Sequence, residues 1–204
     1  MDDQYKKALL LEYFTVGYNV LEAAASIFFG SAAGSIALVG FGLDSVVESL
    51  SGLILIWRLR QHQSVSLEEE EGNEKKAIRF VGLTFILLGI YVLYESIQKL
   101  VYAEAPEPSL PGIIIAMLSI IIMPLLWMRK RKLGRDINSQ ALVADSEETL
   151  ACALLSLPLL LGLLANYLFG FWQADPLAGI IIVAFLLREG MEWWKEAGEG
   201  EENL

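Results

Sequence analysis

The stretch GSIALVGFGLDSVVESLSGLILIW, residues 34–57, is long and apolar enough to cross a bilayer as a helix, yet it carries Asp44 and Glu48 near its middle. A carboxylate at that depth costs several kcal/mol unless a partner, a water-filled cavity or a bound cation satisfies it. The two acids are four residues apart, so they share one helix face. A second such pair, Glu148 and Cys152, interrupts another apolar run further along the chain. These two pairs set both the fold class and the chemistry to look for.

Working outward, apolar runs recur from end to end. Hydrophobic residues make up 55% of the 204 positions, and the mean hydropathy is +0.50. The chain is therefore expected to be an all-α, multi-pass membrane protein with a single domain, too short for a second soluble domain of ordinary size. Six transmembrane helices are predicted near residues 7–29, 34–57, 77–102, 109–128, 139–168 and 174–195, followed by an acidic tail over 196–204. Backbone groups in hydrocarbon must bond within their own segment, and the alternating pattern of a membrane barrel is missing. MDDQYKK at the N-terminus lacks the pattern of a removable signal peptide, so the first helix is expected to stay.

Basic residues orient the bundle. Lys6, Lys7, Arg58, Arg60, Lys75, Lys76, Arg79, Arg129 to Lys132, Arg135, Arg188 and Lys195 fall on one side, leaving Lys99 near the other. Both termini are thus expected to be cytoplasmic. The net charge of -10 comes largely from Glu68 to Glu71 and the tail EAGEGEENL, read as a solvated, flexible loop and tail without chemistry. No nucleic-acid partner is expected. The single cysteine cannot form an intrachain disulfide, and an enzyme is not expected because Cys152 has no evident histidine base.

Depth joins the pairs. At about 1.5 Å per residue, Asp44 and Glu48 lie roughly 20 and 14 Å above the cytoplasmic end of the second helix. Glu148 and Cys152 lie about 12 and 18 Å above the start of the fifth. Packed antiparallel, the helices bring Asp44 level with Cys152 and Glu48 level with Glu148. Three carboxylates and one sulfur have the ligand count of a tetrahedral site for a divalent transition metal. Ionised together without a cation, the acids repel one another, so exchange of metal for protons is expected.

The same residues carry a family resemblance. GSIALVGFGLDSVVESLSG resembles the second transmembrane helix of cation diffusion facilitators. ALVADSEETLACALLS, residues 141–156, is similar to their fifth helix, and WQADPLAG, residues 172–179, to the start of their sixth. The resemblance covers all six spans. It implies a secondary transporter that exports zinc, cadmium, iron or a similar ion from the cytoplasm across the cell membrane, by proton antiport with alternating access and as a homodimer. It places Asp44, Glu48, Glu148 and Cys152 as the metal ligands, with the metal as transported substrate and no resident cofactor. Glu148 stands where that family usually has histidine and Cys152 where it usually has aspartate. The thiolate tilts selectivity towards borderline ions over magnesium or calcium. The family's common C-terminal cytoplasmic domain has no counterpart in the ten residues after Trp194. The rival reading is a membrane protein that senses or buffers metal through the same acids without transporting it.

Other residues have lesser expected roles. Asp145, Asn19 and Glu22 are placed behind or at the entrance of the site, and Glu147 is expected to face away. Glu95 and Lys99 read as an intrahelical pair, the fourth helix as scaffold, His62 as a polar loop residue, and Pro158 as a static bend.

Overall fold

In the computed structural model, which describes residues 3–61 and 67–199, the chain is six helices with no strand among the described residues: α1 (Asp3–Ala33), α2 (Ile36–Gln61), α3 (Leu67–Tyr102), α4 (Leu110–Asp136), α5 (Gln140–Phe169) and α6 (Ala174–Glu199). The breaks follow local chemistry. Gly34, with φ of +67°, takes the left-handed conformation that ends α1 and turns the chain into α2. Ser109 caps α4 by accepting a hydrogen bond from the Gly112 amide at 3.2 Å, with a proline in the first turn. Ser139 caps α5 in the same way, from the Leu142 amide at 3.3 Å. The start of α2 is capped from a distance in sequence: Asp175 of α6 accepts from the Ile36 amide at 2.9 Å and from the Ser35 hydroxyl. That is the work of the aspartate in WQADPLAG.

The helices outrun several expected boundaries. Helix α1 continues through the expected break at Gly30 to Ala33, and α3 begins at Leu67, so Glu68 to Glu71 are helical rather than part of a loop. Helix α4 runs eight residues past the expected 128, because RKRKLGRD consists mostly of good helix formers, and α6 takes in part of the acidic tail. Pro158 lies inside an unbroken α5. His62 lies outside the described residues.

By length and composition, Ile36–Arg60, Phe85–Tyr102, Leu110–Asp136 and Ala141–Phe169 are each apolar enough to cross a membrane. Helix α1 is diluted by Glu12, Thr15, Asn19, Glu22 and Ser26, spaced alternately by three and four residues and all buried. This polar stripe lies on one face, whereas Leu10, Phe14, Leu21 and Phe28 are exposed on the other. The helix is polar towards the protein and apolar towards the surroundings, as a membrane bundle requires.

Helices α1, α2, α5 and α4 close a ring, each packing on the next and α4 returning to α1. Helix α6 lies against α2 and α5, and α3 packs on α6 and α2. A Cβ at Gly42 would stand 2.8 Å from that of Ser26, so the absence of a side chain sets how closely α1 and α2 approach. Two apolar clusters fill the ring's ends. One gathers Ala8, Leu9, Val16, Leu55, Ile56, Leu59 and Leu142. The other, around Phe41, Met123, Leu155, Leu159 and Leu163, extends to α6 through Ile182 and Leu186.

Candidate cation site

Between those two clusters the interior of the ring turns polar. Helix α2 contributes Asp44, Ser45, Glu48 and Ser49, and α5 contributes Asp145, Ser146, Thr149, Cys152 and Ser156, all buried. On α5, residues 145, 149 and 152 follow the four-then-three spacing of a single face. The Cys152 thiol on that face has the Asp44 and Glu48 carboxylates as neighbours. The antiparallel register expected from depth is therefore present at the level of Asp44 and Cys152.

One turn nearer the chain termini, the facing residue is not the expected one. Thr149 meets Glu48, its hydroxyl donating to Oε1 at 2.8 Å. Glu148 is only half-buried and turns towards Ser51 of α2, in the field of Asp145. A step of about 100° per residue separates Glu148 from Thr149, and the helix is rotated so that Thr149 takes the centre. Among the described residues, no three His, Cys, Asp or Glu side chains converge closely enough to hold a metal together. The carboxylates are tied individually. Glu22 accepts from the Tyr18 hydroxyl at 3.0 Å and from Ser45 at 3.1 Å. Asn19 lies beside Glu48, fully buried, and its amide makes no hydrogen bond among the described residues. Glu48 Oε2 and Glu148 Oε1 are likewise buried oxygens without a donor among the described residues.

Asp145, expected at the entrance or behind the site, is bound by Lys130 of α4, which also lies 3.3 Å from Glu12 of α1 and donates to Thr149 at 3.1 Å. Lys130 lies past the span 109–128 that reads as scaffold, on the extension of α4. It belongs to the basic run from Arg129 to Lys132, yet its side chain is fully buried. Neither Lys130 nor Glu12 was anticipated as part of the site. For Glu12 the signal was available, an acid between ALLL and YFTVG in the first apolar run. For Lys130 no sequence signal separated it from Arg129, Arg131 and Lys132. Glu147 faces away as expected, its carboxylate 3.4 Å from Arg131 at the surface. Lys99 sits beside Gly34 and in the field of Asp175 rather than in the expected pair with Glu95.

The family model for the cation efflux transmembrane domain matches residues 13–199, and so all six helices. An uncharacterized transporter of Methanocaldococcus jannaschii is 27% identical over 83% of this chain and 61% of its own length. The magnetosome protein MamB of a Magnetospira strain is 27% identical over 80% and 57%. A cadmium, cobalt and zinc/H(+)-K(+) antiporter of Bacillus subtilis is 23% identical over 94% and 62%. The chain thus spans about three fifths of the length of these relatives.

Proposed function

Since the chain belongs to the cation efflux family, we propose that it exports a divalent transition-metal cation, binding it between α2 and α5 through Asp44, Glu48, Glu148 and Cys152. The observation that carries this reading is the pair of buried carboxylate oxygens, Glu48 Oε2 and Glu148 Oε1, that have no donor among the described residues, with a buried thiol beside Glu48. Buried acceptors of this kind cost free energy until a cation or a proton reaches them. Glu48 is half prepared: Thr149 holds one oxygen, and the other has no hydrogen-bond partner among the described residues. Asp44 and Cys152 already face each other, so a bound ion draws Glu148 inward by a side-chain rotation to complete four ligands. The relatives named for cadmium, cobalt and zinc transport, and for the magnetosome, support a transition-metal cargo.

The transport cycle follows from where the site lies. Apolar clusters close the ring on either side of it, so access from each face requires one cluster to part while the other stays shut. Metal enters as the carboxylates and thiol give up protons, and leaves when protons return on the far side. A homodimer in the cell membrane, with both termini cytoplasmic, is the assembly we assign to it. The test is flux in proteoliposomes with a panel of divalent ions. The parent should carry zinc, cadmium or iron above empty vesicles, and Glu48→Gln and Cys152→Ser should change rate or preference. Tight binding with no net flux would instead establish a sensor or buffer, and normal transport of every ion by both variants would remove these residues from the site.

A further inference from the structure

Lys130 is fully buried, and its ammonium can only donate. It meets Asp145, Glu12 and Thr149, and thereby ties α4 to both α1 and α5. Beyond it lies the apolar cluster of Ala8, Leu9, Leu59 and Leu142. Thr149 has a single hydroxyl proton. As the hydroxyl oxygen accepts from Lys130, that proton points to the Glu48 carboxylate at 2.8 Å, the backbone oxygen of Asp145 being further off at 3.2 Å. The relay therefore has one direction, from ammonium to hydroxyl to carboxylate.

We propose that Lys130 is a tethered counter-cation of the metal site, a positioning residue that aims Glu48 through Thr149 when no ion is bound and retreats towards Glu12 and Asp145 when one is. The proposal rests on Glu48 being a ligand. A divalent ion at Glu48 repels an ammonium one hydroxyl away, and the low dielectric of the interior strengthens the repulsion. The contact between Lys130 and Thr149 and the presence of cargo thus oppose each other, and linkage makes the opposition reciprocal. Loading the site weakens the grip of α4 on Thr149 and strengthens its grip on Glu12 and Asp145, so α4 stays tied to both α1 and α5 while its hold on Glu48 is released.

The test measures zinc binding to the purified full chain in detergent. Removing the charge together with the acid it bonds directly, in Lys130→Met/Asp145→Asn, avoids stranding that buried carboxylate. This double variant should bind zinc at least ~10-fold more tightly than the parent, and Lys130→Arg, which keeps the charge, within ~3-fold of it. A folded double variant with unchanged zinc affinity would overturn the proposal, because a purely structural ion pair alters melting temperature without altering affinity. Nitrogen-detected NMR of lysine ammonium groups in the parent protein gives a second measurement that needs no altered fold. The resonance lost in Lys130→Arg should shift on zinc addition, and a resonance that stays put would also refute the idea. Glu48→Gln separates the two levels of inference. If it leaves zinc affinity intact, the ligand assignment fails and takes the Lys130 proposal with it. If it weakens binding while the double variant matches the parent, only the role of Lys130 fails.

Discussion

The ring of α1, α2, α4 and α5 and the pair of α3 and α6 are built from similar lengths of helix but packed by opposite means. The ring buries Glu12, Asn19, Glu22, Asp44, Glu48, Lys130 and Asp145 along its axis. The pair is joined by small residues: a Cβ at Gly190 would stand 2.9 Å from the Gly82 carbonyl oxygen, and one at Gly179 would stand 2.6 Å from the Ser96 hydroxyl oxygen. Close backbone approach gives the pair its dispersion energy. Polar contacts in the ring contribute less to cohesion than their number suggests, because each also carries a desolvation cost. What they offer, on the transport reading proposed above, is an interior suited to a cation. The difference separates function from holding together, and substitutions on the two sides should separate in the same way.

The largest effect is expected in the ring. Glu48→Gln should lower the initial rate of zinc flux on the order of 100-fold, with an unchanged elution profile showing that the fold survives. A substitution of similar weight on the other side should act on stability alone. Gly190→Val forces a side chain against the Gly82 carbonyl and should cost about 1–3 kcal/mol of unfolding free energy, read by denaturant titration in detergent, with zinc affinity preserved. Loss of zinc affinity in that variant would show that the pair shapes the site after all. Cys152→Ser should move the ratio of cadmium to zinc transport by about tenfold towards zinc, as a hard oxygen replaces sulfur while the acids remain. The smallest effect belongs to the surface. Arg131→Ala removes the exposed pair with Glu147 and should shift stability by less than ~0.5 kcal/mol, leaving flux unaltered.

Much of the ring was legible because membrane burial makes polar residues conspicuous. Asp44, Glu48 and Cys152 stood out against apolar neighbours, and helical rise alone brought Asp44 level with Cys152. Glu148 shows the limit of that reasoning. Spacing fixes which residues share a face of α5, but the rotation that turns the face towards α2 depends on packing all along the helix. One step of the helical wheel was enough to exchange Glu148 for Thr149. Lys130 was hidden for another reason: in a run of four basic residues every side chain offers the same signal, and only the placement of α4 against α1 selects the one that turns inward. The α3–α6 pair was legible as two spans and nothing more, since close approach of glycines leaves no periodic signature as strong as a buried charge.

The hydrogen bonds from Ser35 and Ile36 to Asp175 have a mechanical consequence. They fasten the first turn of α6 to the first turn of α2, the helix that bears Asp44 and Glu48. A fastening at one end of two long rods acts as a hinge pin: their far ends can swing, but their near ends move together. When α2 tilts, α6 is carried with it and α3 follows through the glycine contacts. Under the transport reading proposed above, the outer pair is coupled through this pin to the helix that bears Asp44 and Glu48.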